Sequence, residues 1–211
     1  MAINEARALE LGKQALDYLE ETDPDELEWA RNIKSIIFRN LRAKQFLSQY
    51  CWVVYASGFK FTIIHARFPS LQKAFKDFDP TALSRMRSIK PVLSIFNNEQ
   101  KAKSFLLGAQ SIIREGFIPF KRRLRKEGVQ ALEKLPGIGP TTKDHLAKNI
   151  GLADVPKADR WLKRAAKLCE ANSVPELTSY IAKRLSESQH VIDVAIWTYG
   201  KDGKLGALQN A

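Results

Sequence analysis

The fold of this chain is decided at Leu135-Pro136-Gly137-Ile138-Gly139, where two glycines flank one apolar residue between helix-forming segments. Glycine has no Cβ, so the backbone at Gly137 and Gly139 can take positive φ and approach a phosphate closely. Ile138 should point inward and anchor the turn. Backbone N–H groups exposed at such a turn suit a phosphate oxygen and do not select any base. The string therefore predicts a helical hairpin that binds a nucleic-acid backbone.

The flanking residues fit the same interpretation. Val129–Leu135 is expected to be the helix that enters the turn, and Pro140 suits the first position of the helix that leaves it. Thr141, Thr142 and Lys143 lie in the first turn of that second helix, where hydroxyls and an ammonium can add phosphate contacts. An ordinary helical hairpin would also have a Gly-x-Gly turn, so this pattern alone leaves both readings open.

Composition narrows the class of protein. The chain has 211 residues and is 45% hydrophobic, which predicts a globular fold. Cys51 and Cys169 are its only cysteines, which excludes both a disulfide framework and an iron–sulfur cluster held by four thiolates. No apolar run approaches the ~20 residues that span a bilayer. Met1–Glu10 lacks a basic and apolar leader, so we expect an intracellular protein. It should be located with the nucleic acid that the hairpin binds, in the cytoplasm or nucleoid if the source is a bacterium.

Charge is distributed unevenly along the chain. The net charge is +11, yet the first 30 residues hold nine acidic and two basic side chains. The other 181 residues therefore hold 14 acidic and 32 basic side chains. A body this basic favours a polyanionic partner, most simply nucleic acid. On charge alone, a basic protein without such a partner remains the alternative.

The hydrophobic pattern is mostly helical. Asp23, followed by Pro24, is a strong helix start, and Pro69 is expected to open a short helix. The apolar stretch Gln45–Phe68 has two readings, a pair of buried helices or a β-hairpin of Trp52–Tyr55 with Phe61–Ile64. Because the neighbouring segments are helical, we favour the helices.

The string 135–139, with the helix after it, resembles the helix-hairpin-helix motif of many DNA-binding proteins, here over about 128–150. That resemblance implies a monovalent cation held by the backbone carbonyls of Glu133, Leu135 and Ile138 and bridging to a DNA phosphate. The motif occurs in nucleases, polymerases and ligases. It therefore implies DNA binding and no particular reaction.

Val155-Pro156-Lys157-Ala158-Asp159 extends the resemblance to the helix-hairpin-helix DNA glycosylase superfamily, in its endonuclease III-like branch of base-excision repair. The spacing from Gly139 to Asp159 is similar to that branch, and Arg164 matches a basic position five residues beyond the Asp. The resemblance implies an all-α, two-lobed helical bundle as one glycosylase-like domain over 1–211. It also implies that Asp159 is catalytic.

The chemistry of base removal suits a carboxylate at this position. Breaking an N-glycosidic bond places positive charge on the deoxyribose, as in the oxocarbenium-like transition state of glycoside hydrolysis. Asp159 could stabilise that charge and activate the attacking water. The alternative is that Asp159 only caps the helix that begins at Arg160. The two roles are compatible, since capping would orient the carboxylate.

One residue departs from the family pattern. Members that also cleave the strand carry a Lys two residues after the second turn glycine, where this chain has Thr141. Lys143 is the nearest lysine, and two helical positions are ~200° apart, so it should point elsewhere. The sequence thus predicts a monofunctional enzyme that uses water. Lyase activity through Lys143 or another Lys is an alternative.

Two further surfaces are candidates for DNA contact. Arg160 and Arg164, with Lys163 and Lys167, share one helical face that would extend the phosphate-binding surface. A flipped base needs stacking partners, and the richest aromatic stretch contains Trp52, Tyr55, Phe59 and Phe61. Aromatic residues at this density are more often core than pocket.

Together these features predict a DNA glycosylase that acts on double-stranded DNA with a damaged or mismatched base. We expect a monomer with no membrane association and no cofactor beyond the possible structural cation. The first alternative is a helix-hairpin-helix binding module without chemistry. The second is a bifunctional glycosylase and abasic-site lyase that uses a Lys.

Overall fold

All regular secondary structure is helical in the part of the chain that this computed structural model describes, residues 3–33 and 35–209. The all-α prediction is therefore confirmed. The α-helices are α1 Glu5–Thr22, α2 Pro24–Asn32, α3 Ser35–Asn40, α4 Ala43–Ala56, α5 Phe61–Ala74, α6 Pro80–Arg85, α7 Lys90–Leu93, α8 Glu99–Glu115, α9 Phe117–Glu127, α10 Pro140–Asn149, α11 Arg160–Leu168, α12 Val174–Leu185 and α13 Gln189–Lys201. Short 3-10 helices cover Lys76–Phe78, Val129–Lys134 and Lys204–Gln209.

The chain forms two compact units. Unit 1 combines Met1–Ile36 with Ala153–Ala211, and unit 2 is the continuous segment Ile37–Leu152. The predicted two-lobed organisation is thus confirmed. Both ends of the chain build unit 1, and the helical hairpin belongs to unit 2.

Unit 1 is organised around α13, which α1, α2, α11 and α12 contact. Helix α13 is apolar on nearly every side, and ten of its residues are buried, as expected for a helix surrounded by others. Asp193 is a charged residue of this helix that is nevertheless buried, with only 2% of its surface exposed. The predicted start of α2 is confirmed, because the Asp23 side chain accepts a hydrogen bond from the Glu26 amide at 3.1 Å.

Unit 2 is organised around α4, which packs against α5, α8 and α10. Its core is largely aromatic, and the ring pairs in it are either edge to face, as for Phe75 and Phe105, or tilted, as for Phe46 and Tyr50. The largest fully buried side chains of this core are Phe46, Tyr50, Tyr55, Phe75, Phe78, Phe105 and Phe120.

The apolar stretch Gln45–Phe68, for which a pair of helices and a β-hairpin were both considered, is helical as predicted and lies in α4 and α5. The prediction for Pro69 was wrong, since this proline lies inside α5 and opens no helix. A proline in a helix interior removes one backbone hydrogen bond and costs about 3 kcal/mol. Ile64 and Leu71 of the same helix are fully buried, and their packing offsets that cost.

Candidate functional site

The helical hairpin is present in unit 2, although its first arm differs from the prediction. That arm, Val129–Lys134, is a 3-10 helix, and α10 follows the turn. Gly137 takes a left-handed conformation with φ +79°, as predicted. A Cβ there would lie 3.1 Å from Ser104 and 3.3 Å from Val54, so the turn packs tightly on its own unit. Ile138 is buried and anchors the turn as expected.

A buried tyrosine holds the turn in place. The Tyr50 hydroxyl donates to the Pro136 carbonyl at 2.5 Å and lies 3.3 Å from the Ser104 carbonyl. Burial raises the pKa of Tyr50, so the hydroxyl stays a proton donor throughout the ordinary pH range. The sequence analysis did not single out Tyr50, because its partner lies 86 positions away in the chain.

The conformation of Gly139 bears on ligand approach. Its backbone is extended, with φ −122° and ψ −172°, so the positive φ that a glycine can take is not used here. Among the described residues, nothing lies within 4 Å of where its Cβ would be. Neither backbone strain nor packing therefore demands a glycine at this position. The missing side chain leaves room beside the backbone for a ligand.

Because amides of the turn are already hydrogen-bonded, the candidate donors to a phosphate are backbone amides at the start of α10. The Ile138 amide donates to a carbonyl of the turn at 3.0 Å, and the Gly139 amide donates to Thr142 Oγ1 at 2.7 Å. The first bond within the helix joins the Lys143 amide to the Gly139 carbonyl at 2.9 Å. Thr141 and Thr142 precede Lys143 in the first helical turn of α10, where backbone N–H groups have no carbonyl partner within the helix. Their amides, rather than those at the tip, are the candidate donors.

Lys143 joins the two arms of the hairpin. Its Nζ lies 2.8 Å from the Glu133 carboxylate and 2.7 Å from the Gln130 side-chain oxygen. The Lys143 side chain is only 14% exposed. A phosphate contact or a nucleophilic role for this lysine would require that ion pair to break.

The carbonyls predicted to hold a monovalent cation belong to this turn. They are those of Glu133, Leu135 and Ile138, and the Leu135 carbonyl also accepts the Ile138 amide at 3.0 Å. A carbonyl oxygen has two lone pairs, so that bond leaves one for an ion. Neutral carbonyl oxygens suit a hard cation. Within the described residues, no cluster of three His, Cys, Asp or Glu side chains could hold a metal ion.

Positive charge is concentrated in unit 2. Its segment, 37–152, holds 21 Lys and Arg against seven Asp and Glu, a net charge of +14. The two segments of unit 1 hold 13 basic and 16 acidic side chains, a net charge of −3. Attraction of a polyanion is therefore mainly a property of the unit that carries the hairpin.

Asp159 lies in unit 1 at the start of α11 and caps that helix, as predicted. Its Oδ1 accepts the amides of Trp161 at 2.9 Å and Leu162 at 3.2 Å. Its Oδ2 lies 4.0 Å from Lys157 Nζ, and the side chain is 16% exposed. The cap therefore fixes the rotation of the carboxylate and uses only one of its two oxygens.

The backbone before Asp159 is also fixed. The Lys157 amide donates to Asp193 Oδ2 at 2.6 Å, and the Asp159 amide donates to the Lys157 carbonyl at 2.7 Å. Neither Lys157 nor Asp193 was assigned a role from the sequence. Two signals were present there, a lysine two positions before the candidate catalyst and the one carboxylate within the helix 189–201.

The basic residues of α11 are exposed as predicted. Arg160, Lys163, Arg164 and Lys167 face solvent, whereas Leu162, Ala165 and Ala166 are buried. The two guanidinium groups lie over the Trp161 ring, 4.5 Å away for Arg160 and 5.0 Å for Arg164. This stacking orders both arginines while leaving their N–H groups free to approach an anion.

The candidate base-pocket aromatics divide into buried and exposed residues. Tyr55 is fully buried in unit 2, edge-on to Phe75 and Phe96, and is therefore a core residue rather than a surface for stacking. Phe59 and Phe61 are 40% and 39% exposed. Trp52 is half-buried and edge-on to the Phe61 ring at 5.6 Å.

A shallow depression of about 330 Å³ also lies in unit 2, lined by Ser84, Arg87, Gln110, Ile113 and Arg114. It contains none of the predicted aromatic residues. In the part of the chain that the structure describes, no helix is both long and apolar enough to cross a membrane.

Two solved structures share this fold along almost the whole chain. The 8-oxoguanine glycosylase/lyase of Methanocaldococcus jannaschii, in complex with a 15mer DNA containing 8-oxoguanine, has a TM-score of 0.61 and 18% identity. The match covers 91% of this chain and 97% of that one. The 8-oxoguanine DNA glycosylase of Thermotoga maritima has a TM-score of 0.63 and 17% identity, covering 94% and 99%.

These likenesses show that the chain has the fold of the helix-hairpin-helix DNA glycosylases, as the sequence motif predicted. No protein-family model matches the sequence, and no curated protein sequence matches it either.

Proposed function

We propose that this protein is a DNA glycosylase that removes an oxidised purine, with 8-oxoguanine in duplex DNA as the first candidate substrate. The observation that carries the proposal is the joint presence of this fold and a fixed carboxylate, Asp159, at the predicted position. The two solved neighbours are 8-oxoguanine glycosylases and match over at least 91% of this chain.

The proposed mechanism assigns separate tasks to the named groups. The first-turn amides of α10 bind a backbone phosphate, supported by the net charge of +14 on the surrounding segment. The carbonyls of Glu133, Leu135 and Ile138 would hold the monovalent cation, which screens the same phosphate. Asp159 Oδ2 stabilises the positive charge that develops on the deoxyribose, because Oδ1 is held by the helix cap.

Base release can take two forms, which differ in the nucleophile that attacks C1′ of the deoxyribose. Hydrolysis by a water that Asp159 activates is the monofunctional form that the sequence predicts. One neighbour is a glycosylase/lyase, and this favours the second form, in which an amine of the protein attacks the sugar. The sequence argument against it was the threonine at position 141, which excludes only one position for the lysine.

A lesion-panel assay tests the proposal. Duplexes that contain 8-oxoguanine, uracil or an alkylated purine are incubated with excess enzyme, and base release is followed over a single turnover. We expect release from the 8-oxoguanine duplex and loss of release in Asp159→Asn. Binding without release from any duplex would support the non-catalytic binding module instead.

A further inference from the structure

We propose that Lys157 is the amine that gives this protein a lyase activity, in partnership with Asp159. The inference rests on the proposed glycosylase function and names a group in the same site. Its starting point is that Lys157 Nζ and Asp159 Oδ2 lie 4.0 Å apart in unit 1, at the start of α11.

The local structure holds this pair together from both sides. Asp159 Oδ1 is fixed by two amides of α11, so Oδ2 has a defined direction. The Lys157 backbone is tied to the buried carboxylate of Asp193 at 2.6 Å. The Lys157 side chain is 21% exposed, and that of Asp159 is 16% exposed. Rotation of the lysine side chain can bring the two groups within the ~2.6–3.2 Å of a proton transfer.

Two lysines of unit 2 that are candidates for the same role, Lys143 and Lys101, have structural partners there. Lys143 is paired with Glu133 across the hairpin. Lys101 donates to the carbonyls of Val54 at 2.5 Å and Ser57 at 2.8 Å, at the end of α4. Burial lowers the pKa of Lys101, which would favour a nucleophile. However, its two carbonyl partners explain the burial as a helix cap.

The chemistry of the pair balances without a further reactant. As the glycosidic bond lengthens, the Asp159 carboxylate faces the positive charge that develops on the deoxyribose. Its Oδ2 then accepts one proton from the Lys157 ammonium, and the neutral amine attacks C1′. The N–C1′ bond forms and the glycosidic bond breaks, and the departing base takes its electron pair and a second proton from the attacking nitrogen. The C1′–O4′ bond then opens, O4′ takes the proton from Asp159, and an iminium joins Lys157 to C1′.

Strand cleavage follows from that iminium. The Asp159 carboxylate removes a proton from C2′, and the C3′–O bond breaks with its electron pair leaving on the phosphate. Water then hydrolyses the C1′=N bond and restores the lysine. The fixed carboxylate thus serves every proton transfer except the one to the departing base, which is why a lysine two residues away can replace one in the hairpin.

Borohydride trapping tests this assignment, because it reduces the iminium to a stable amine. The full-length protein is incubated with an 8-oxoguanine duplex and, separately, with a duplex carrying a preformed abasic site. The adduct is digested and the modified lysine located by mass spectrometry. Lys157→Arg keeps the positive charge beside Asp159 but cannot form the iminium. Lys157→Ala is the second variant, and Lys183→Arg, on an exposed part of α12, is the matched control.

We expect wild-type adduct on Lys157, its loss in both Lys157 variants, and wild-type yield in the Lys183 control. An adduct on another amine, or cleavage that persists in Lys157→Arg, would overturn the assignment. Base release without trapping or cleavage would also overturn it while leaving the glycosylase function intact. Absence of base release from every lesion duplex would refute the glycosylase function, and absence of an adduct on the preformed abasic site as well would refute both. Thermal unfolding of each variant separates loss of chemistry from loss of fold.

Discussion

Replacing Asp159 by Asn and by Ala separates its two roles, because the structure assigns them to different oxygens. The helix cap uses Oδ1, which accepts two amides of α11 at 2.9 and 3.2 Å. An asparagine keeps that acceptor, and Asn and Asp are equally good N-caps. The proposed chemistry uses Oδ2, which an asparagine replaces by an uncharged NH2 group.

The expected magnitudes follow from these two roles. Asp159→Ala should lower the free energy of unfolding by about 1 kcal/mol, which corresponds to about 2–4 °C in Tm for a chain of this size. Asp159→Asn should change the free energy of unfolding by much less, because only the partly exposed contact with Lys157 is lost, worth about 0–1 kcal/mol. Both variants should lose base release by on the order of 10²–10³-fold, since a preorganised charge is removed in each.

The assay combines single-turnover base release at saturating enzyme with thermal unfolding by circular dichroism. DNA affinity, measured by fluorescence anisotropy, serves as the control for correct folding of the binding surface. A wild-type rate in Asp159→Asn would refute the catalytic role. A loss of rate that merely tracks the loss of stability from Asn to Ala would show that Asp159 is only a helix cap.

The other expectations concern the hairpin and the buried thiols. Gly139→Ala should leave the Tm unchanged and weaken DNA binding in an anisotropy titration. Gly137→Ala should lower the free energy of unfolding by about 1–3 kcal/mol, because the positive φ and the close neighbours of Gly137 tolerate no Cβ. An equal loss of stability in both variants would contradict this geometry. Tyr50→Phe leaves a hairpin carbonyl without its donor and should cost about 1–3 kcal/mol in chemical denaturation, with no effect only if another donor takes its place. Burial raises the pKa of Cys169 to about 11 and also raises that of Cys51, so at about pH 8 neither thiol should react with a thiol reagent before denaturation. Folding favours the protonated form of both thiols. Below the unfolded thiol pKa of about 8.5 their ionisation therefore leaves the free energy of unfolding unchanged, and above that pH it lowers the free energy of unfolding. Chemical denaturation at a series of pH values measures this effect.

The sequence predicts the features of this chain that depend on local residue order. The hairpin, the cap at Asp159 and the helical nature of 45–68 each follow from neighbouring residues, and each is present. The exposed basic face of α11 also follows from helical spacing alone. In these cases the local preference and the tertiary structure agree.

The features that the sequence did not predict depend on distant contacts. Unit 1 is built from both ends of the chain, and no local signal marks the boundary at Leu152. Pro69 continues a helix because Leu71 and Ile64 are buried against other segments. Tyr55 is a core residue for the same reason, since aromatic density cannot distinguish a pocket from a core.

The charge distribution leads to a division of labour between the two units. Unit 2 carries the hairpin and a net charge of +14, whereas unit 1 carries Asp159, Lys157 and a net charge of −3. Counterion release makes affinity depend on the number of phosphates that basic residues neutralise. Substitutions of basic residues in unit 2 should therefore weaken binding and its salt dependence, with little effect on the single-turnover rate at saturation. Substitutions at Asp159 should instead lower the single-turnover rate and leave DNA affinity nearly unchanged. A single carboxylate contributes little to the attraction of DNA but stabilises the developing sugar cation strongly.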